Sequence, residues 1–353
     1  MRKKTRAVRT TLKSQKICQA VPIAVNPDCP TGFAPLVANI KARPLEHLFK
    51  IGVDLMGNDN DPKRLLEALE ALFLPKNAQL VCIGTKEFGT DRFEYVSVDE
   101  FIGMEESPLL ALRKKKGASI PVGFRMLKKG QIDAFVSAGN TGALVSAAKM
   151  ILSTLPGILR PSLLTLMPTK KSPVAVLDVG ANIQAKESHL VQFAKLGVAF
   201  QKIRGIQNPR VGLLNIGSEA VKGTSQLKAA YHHLQKMKGF TFAGNIEGKT
   251  VFDGDVDVIV TDGFTGNIFL KTAEGIASLI LDKIEKNSHE VERFQSLHYS
   301  EYPGALLAGV KGIAIKCHGY SSLKGFTNAV LGSLDLVKEG YVQKFMNELN
   351  CIK

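Results

Sequence analysis

Several residues and patterns that mark common classes of protein are scarce or missing in this chain of 353 residues. There is no tryptophan, and the five cysteines are scattered without CxxC or Cys/His spacing, so neither a disulfide framework nor a zinc site is expected. No apolar run approaches the roughly 18 residues that span a bilayer, and residues 1–16 lack the apolar core of a signal peptide. We therefore expect reduced thiols and a cytoplasmic protein that contacts membranes at most peripherally.

The motifs of several large enzyme families are also missing. No GxGxxG follows the first apolar run, no GxSxG occurs, and the seven histidines show no HExxH spacing. Dinucleotide-binding, serine hydrolase and metalloprotease chemistry therefore lack their residues. Residues 243–250 (AGNIEGKT) satisfy a relaxed phosphate-loop pattern, but a β-branched run follows where such a loop requires a helix, so an ATPase or GTPase is not expected.

Positive charge is concentrated at two places in a chain with a formal net charge of +14. Residues 1–50 contain ten Lys or Arg against two acids, and prolines punctuate residues 22–35, so we predict a poorly ordered basic extension over 1–48. Residues 113–129 form a second cluster, with seven Lys or Arg and no acid. A solvated surface and a binding surface for an acidic partner both agree with these charges.

The rest of the chain alternates short apolar runs, rich in β-branched residues, with helical patterns, which predicts an α/β protein. Most of the runs are continuously apolar, so the strands should be buried on both faces of a mainly parallel sheet. The predicted strands are 49–54, 79–83, 134–137, 174–178, 210–215, 240–243 and 256–261, and the predicted helices are 62–73, 142–155, 189–203, 225–237 and 269–285.

Glycines and small polar residues follow six of these strands. The segments are 54–58 (DLMGN), 137–142 (SAGNTG), 178–182 (DVGAN), 215–218 (NIGS), 244–247 (GNIE) and 262–267 (DGFTGN). Ligands of parallel sheets bind beyond the carboxyl ends of the strands, and glycine turns ahead of helices favour anions. One such segment alone is ordinary turn chemistry. Six of them together predict a crevice for phosphate or another oxyanion.

Eight segments resemble, in order and spacing, the PlsX family of bacterial phosphate acyltransferases. They are IGVDLMGNDNDP (51–62), LRKKKGASI (112–120), DAFVSAGNTGAL (133–144), LDVGAN (177–182), VGLLNIGSEAVKG (211–223), GNIEGK (244–249), DGFTGNIFLKTAEG (262–275) and YPGALLAGVKGIAIKCHGYSS (302–322). The resemblance implies a catalytic α/β region over 49–353. Its fold would be a Rossmann-like three-layer α/β/α sandwich with a mainly parallel sheet, related to the isopropylmalate dehydrogenases and phosphotransacetylases.

The resemblance also implies a reaction and its partners. A long-chain acyl group would pass from acyl-(acyl carrier protein) to inorganic phosphate, usually in a homodimer, and the acyl phosphate would feed the membrane-bound glycerol-3-phosphate acyltransferase of phospholipid synthesis. Phosphate is already an anionic nucleophile and the thioester is reactive, so no cofactor and no metal is required. A phosphotransacetylase acting on acyl coenzyme A is the alternative. A nicotinamide-dependent dehydrogenase lacks its Asp cluster and dinucleotide motif, and a nucleic-acid-binding protein lacks a recognition module.

Site residues follow from the same resemblance. Lys186 is expected to bind phosphate or stabilise charge, and Asn245 to donate a hydrogen bond to the reacting carbonyl or phosphate. The remaining substrate and phosphate contacts are predicted at Asp54, Gly57, Ser137, Asn140, Thr141, Gly142, Asn182, Gly217, Asp262, Gly263, Thr265, Gly266, Asn267 and His318. Docking of the acidic carrier protein is predicted at Arg113, Lys114, Lys115 and Lys116.

Two segments depart from the family's pattern. Residues 54–62 read DLMGNDNDP where the family typically has DAMGGDHAP, so a glycine, a histidine and two alanines are replaced in a loop expected near phosphate. Residues 275–302 are shorter and more polar than the amphipathic hairpin with which family members contact the bilayer. Membrane contact through this segment is therefore not predicted, and the basic extension is the alternative.

Overall fold

The computed structural model describes residues 47–284, 304–317 and 322–352. Its strands are β1 (Phe49–Asp54), β2 (Ala78–Gly84), β3 (Glu94–Ser97), β4 (Ala134–Ser137), β5 (Ser162–Met167), β6 (Val174–Leu177), β7 (Arg210–Asn215), β8 (Thr241–Glu247), β9 (Val258–Val260), β10 (Ala305–Ala308) and β11 (Ile313–Lys316). Its helices are α1 (Pro62–Glu70), α2 (Pro108–Lys114), α3 (Ser119–Lys128), α4 (Thr141–Ile151), α5 (Glu187–Ile203), α6 (Ser225–Leu234), α7 (Gly263–Ile284), α8 (Leu323–Lys338) and α9 (Tyr341–Cys351). Almost all of the predicted extension 1–48 lies outside the described residues.

The strands form one eleven-stranded sheet in the order β3-β2-β1-β4-β11-β10-β5-β6-β9-β7-β8. Helices α1, α5, α6, α8 and α9 cover one face, around a core that includes Phe193, Phe200 and Phe326. Helices α2, α3, α4 and α7 cover the other face, around Phe124 and Phe135. The predicted three-layer α/β/α sandwich is confirmed.

The strand direction reverses in the middle of the sheet. Strands β3, β2, β1, β4 and β11 are parallel, but the pairs β11–β10, β10–β5 and β5–β6 are antiparallel. Strands β6, β9, β7 and β8 are parallel to one another. This second group therefore runs opposite to the first, which the sequence did not predict.

All seven predicted strands are present, and the differences concern boundaries and missed elements. The strand predicted over 240–243 corresponds to β8, which continues to Glu247. It continues because a register shift between Val211 and Gly212 keeps it paired with β7. The GNIE segment therefore belongs to a strand and does not follow one. Helix α7 begins at Gly263 rather than at residue 269, because Asp262 caps it. Four strands and four helices were missed: β3, β5, β10, β11, α2, α3, α8 and α9.

Candidate active site

The predicted site residues form two clusters at the carboxyl ends of the two strand groups. The first cluster begins at the last residues of β1 and β4 and continues into the loops after them. It contains Asp54, Gly57, Ser137, Asn140, Thr141 and Gly142. The second cluster follows or lies on β6, β9, β7 and β8 and contains Asn182, Lys186, Gly217, Asn245, Asp262, Gly263, Thr265, Gly266 and Asn267. Because the two groups of strands run in opposite directions, their carboxyl ends lie at opposite edges of the sheet.

The twist of the sheet nevertheless reduces the separation of the two clusters. Neighbouring strands rotate by roughly 20–25°, so the five steps from β4 to β9 accumulate roughly 100–125°. Helix α7 starts in the second cluster, and Lys271 on it adds to the effect of burial in lowering the pKa of Lys316 on β11. Helix α7 therefore comes within electrostatic reach of the first cluster.

A buried polar row crosses three neighbouring strands in the first cluster. Asp54, Ser137 and Lys316 are paired in register at the ends of β1, β4 and β11. The Asp54 carboxylate accepts hydrogen bonds from the Ser137 hydroxyl at 2.8 Å and the Met56 backbone N–H at 3.0 Å. Lys316 Nζ donates to the carbonyl oxygens of Ala138, at 3.2 Å, and Cys317. The row fixes the start of the 137–142 segment.

Burial shifts the pKa values of both charged groups in this row. The Asp54 side chain is fully buried, which raises its pKa from 3.8 to about 6 despite the hydrogen bonds from Met56 and Ser137. Burial lowers the pKa of Lys316 from 10.5 to about 8, and the charge of Asp54 partly opposes that shift. Sequence reasoning missed Lys316, although a single lysine inside the apolar run of residues 313–317 was the available signal.

A pH-dependent stability difference follows for Asp54→Asn. Between pH 4 and 7 the unfolded carboxyl ionises freely, whereas the native state must hold an ionised carboxylate in a buried position. The wild type should therefore lose about 2.5 kcal/mol of unfolding free energy relative to Asp54→Asn over this range. Urea unfolding at several pH values measures the difference, with Asp91→Asn at an exposed position as control. A constant difference between pH 4 and 7 would contradict the assignment.

Asn140 and two glycines hold the other loops of the first cluster. Asn140 accepts from the Ala143 N–H at 3.0 Å and so caps α4, while its amide donates to the carbonyl oxygens of Gly103, Met104 and Glu106 at 3.1–3.2 Å. A Cβ at Gly142 would lie 2.5 Å from Pro108 Cγ, and one at Gly57, where φ is +68°, would lie 2.5 Å from the Ile102 carbonyl oxygen. These residues position the N-terminus of α4 chiefly through contacts within the protein.

Asp178 organises the 178–182 loop of the second cluster. Its fully buried carboxylate accepts from the backbone N–H groups of Leu163, Gly180, Ala181 and Asn182, and from the Asn182 side-chain amide, at 2.6–3.3 Å. Burial raises the pKa of Asp178, and these hydrogen bonds oppose the rise. Asp178 was not among the predicted site residues, although it opens the quoted DVGAN motif.

The start of α7 packs directly on that loop. Asp262 accepts from the Thr265 N–H at 2.9 Å and hydroxyl at 3.1 Å, and Gly263 N–H donates to the Asn182 carbonyl at 2.7 Å. A Cβ at Gly266 would lie 1.9 Å from the Asp178 carbonyl oxygen, so only glycine fits. Asn267 faces Gly180 across the same contact. Since α7 presents its positive N-terminal end here, the site suits an anion.

Asn245 joins the ends of β8 and β7. Its side chain is 6% exposed, and its Nδ2 donates to the Glu219 carbonyl at 2.8 Å. Its Oδ1 is buried and has no hydrogen-bond partner among the described residues. The loop after β7, to which Glu219 belongs, also contains the buried Gly217, where a Cβ would lie 2.7 Å from Glu219 Oε2. Asn245 therefore offers an unused acceptor as well as a second amide hydrogen.

Lys186 is exposed at the N-cap of α5. Burial lowers the pKa of His189, one turn later, and the charges of Arg160, Lys186 and Lys149 lower it further. Three cations therefore surround the start of α5. A cationic surface next to the second cluster is suited to attracting an anionic substrate.

The predicted docking cluster, residues 113–116, lies at the end of α2. Arg113, Lys114 and Lys116 are exposed at the end of α2, but Lys115 is bound to Glu106 at 2.7 Å and to the Phe101 carbonyl at 3.0 Å. Three of the four cations are therefore available to a partner. His318 lies outside the described residues. Within the described ranges, no helix combines the length and the apolarity needed to cross a bilayer.

Comparison with solved structures defines the class of fold. The EutD phosphotransacetylase from Staphylococcus aureus matches with a TM-score of 0.53 at 17% identity, covering 82% of this chain and 94% of that one. A branched-chain phosphotransacylase from Enterococcus faecalis V583 matches with a TM-score of 0.56 at 14% identity, covering 82% and 99%. The chain has the fold of the phosphotransacylases.

Sequence comparison identifies the family within that class. A family model described as a fatty acid synthesis protein matches residues 49–344. The phosphate acyltransferase of Staphylococcus epidermidis is 41% identical over 317 residues, which cover 84% of this chain and 98% of that protein. The phosphate acyltransferase of Chlamydia pneumoniae is 38% identical over 318 residues, covering 85% and 99%. The chain belongs to the phosphate acyltransferase family and is an acyltransferase, as its motifs predicted.

Proposed function

We propose that this protein transfers a long-chain fatty acyl group from acyl-(acyl carrier protein) to inorganic phosphate. The observation that carries the proposal is the match, over nearly their whole length, to relatives named phosphate acyltransferase within a fatty acid synthesis family. A homodimer, peripheral membrane contact and delivery of the product to a membrane-bound glycerol-3-phosphate acyltransferase belong to the same proposal. These three rest on the family resemblance.

In the proposed mechanism, a phosphate oxygen attacks the thioester carbonyl carbon, and the carbon–sulfur bond of the tetrahedral intermediate then breaks. The carrier's thiolate leaves and takes a proton from solvent. The protein must hold two anionic reactants together and stabilise the developing oxyanion. The positive N-terminal end of α7, the Asn245 amide and the Lys186 charge are assigned to these tasks.

The donor is tested by incubating the purified protein with phosphate and palmitoyl-(acyl carrier protein), and trapping the acyl phosphate as its hydroxamate. We expect phosphate-dependent product. Palmitoyl coenzyme A is assayed in parallel, and product from coenzyme A alone would replace the carrier protein with a phosphotransacetylase-type donor. No product from either donor would overturn the proposal.

The exposed cations at the end of α2 are proposed to dock the carrier protein. Because opposite charges steer association and salt screens them, Lys114→Glu/Lys116→Glu should raise the KM for acyl-(acyl carrier protein) by about 10-fold at low salt, with less effect at 0.5 M salt. Lys115 is left unchanged because it binds Glu106. Steady-state kinetics at two salt concentrations measure the effect.

A matched control for docking changes the net charge equally elsewhere. Lys236 and Lys238 are exposed after α6, so Lys236→Glu/Lys238→Glu removes the same positive charge at a different surface. This variant should keep the wild-type KM. Equal KM changes in the two double variants would show a general charge effect and exclude docking at α2.

A further inference from the structure

Five large apolar side chains are exposed in the loops of the second cluster and in the first two turns of α7. They are Ile183 (71% exposed), Ile216 (83%), Val221 (73%), Phe264 (60%) and Ile268 (52%). Single exposed apolar side chains are common, but contiguous sets of them mark binding surfaces. Ile183, Ile216, Val221 and Phe264 belong to segments in which glycine and polar residues otherwise dominate, and Ile268 lies one turn after Phe264 on α7. Turn chemistry does not require them.

The five side chains come from three segments, two loops and the start of α7, that are neighbours in the fold. They follow β6, β9 and β7, which are adjacent in the sheet. The N–H of Gly263, next to Phe264, donates to the carbonyl of Asn182, next to Ile183, at 2.7 Å. Asn215, which precedes Ile216, lies two residues beyond the Leu213–Val260 pair of β7 and β9, level with the start of α7. The apolar side chains therefore surround the same strand ends as the proposed anion site.

We infer that Ile183, Ile216, Val221, Phe264 and Ile268 form a binding surface for the hydrocarbon chain of the acyl group. The inference rests on the proposed function, since a fatty acyl phosphate joins an anionic headgroup to a long apolar chain. Glycine loops and helix N-termini suit the headgroup, and the exposed apolar side chains lie directly beside them. Each buried methylene should strengthen binding by up to about fourfold.

Binding of unreactive alkyl phosphates tests the surface without requiring catalysis. Isothermal titration calorimetry with butyl phosphate and decyl phosphate should show that wild-type protein binds the decyl compound at least 100-fold more tightly. Ile216→Ser/Phe264→Ser should weaken decyl phosphate binding by about 10-fold or more and leave butyl phosphate binding unchanged. Phe73→Ser/Leu109→Ser removes an equally exposed aromatic and aliphatic pair elsewhere and should bind both ligands as the wild type does.

Three outcomes would overturn the inference. The first is equal affinity of the wild type for both ligands, which includes no measurable binding of either. The second is an unchanged affinity of Ile216→Ser/Phe264→Ser for decyl phosphate. The third is a change of that variant from dimer to monomer, measured by light scattering. The last result would make the surface a contact between copies of the chain. The hydroxamate assay reports separately on the proposed function, since chain-length-dependent binding without acyl transfer would reject the reaction and retain the surface.

Discussion

Asn245→Ala should lower the kcat for acyl phosphate formation by about 100-fold, the effect of removing one donor to a developing oxyanion. The amide has one hydrogen bond within the protein, to the Glu219 carbonyl, so unfolding free energy should fall by only about 1 kcal/mol. The hydroxamate assay and thermal unfolding measure the two quantities. Asn208→Ala is the matched control, because the Asn208 amide also donates one hydrogen bond, to the Thr241 hydroxyl at the opposite end of β8 from Asn245.

Lys186→Ala should lower activity to a similar extent and leave stability unchanged, since the Lys186 side chain is exposed. Lys228→Ala, at an exposed position in α6, controls for the loss of one positive charge. A comparison of kcat with the KM for phosphate then separates chemistry from binding. Activity near the wild-type level in both Asn245→Ala and Lys186→Ala would remove these residues from the mechanism.

Gly266→Ala should have the largest effect on stability. Its Cβ would lie 1.9 Å from the Asp178 carbonyl oxygen, which belongs to the backbone and cannot move aside alone. Either α7 or the 178–182 loop must shift, so we expect a loss of about 3 kcal/mol in unfolding free energy and at least a 10-fold loss of activity. Denaturant unfolding and the hydroxamate assay measure both.

A second glycine in α7 provides a control for which we expect the opposite change in stability. A Cβ at Gly275 would meet nothing within 4 Å, so Gly275→Ala should stabilise α7 by about 0.5–1 kcal/mol without changing activity. If Gly266→Ala proved as stable and active as Gly275→Ala, the close contact between α7 and the 178–182 loop would not exist in solution.

The sequence by itself determined the class of fold, the family and most of the strands. The runs at β1, β4 and β7 were predicted to the residue, because each is predominantly apolar and ends in a glycine or polar turn. The ligand chemistry was also readable, since glycine, asparagine and threonine recur after these strands. Such patterns are local, because the apolar residues and the turn residues that define them lie within about ten positions of one another.

The tertiary structure alone decided how those segments combine. Short strands such as β5, β10 and β11 reverse the sheet direction and so divide the predicted crevice into two clusters, and Asn245 falls within β8 because of a register shift. Lys316 joins the site through contacts with the Ala138 carbonyl, 178 residues away in the sequence. Strand order and register depend on pairing between distant segments, and spacing along the chain does not specify that pairing.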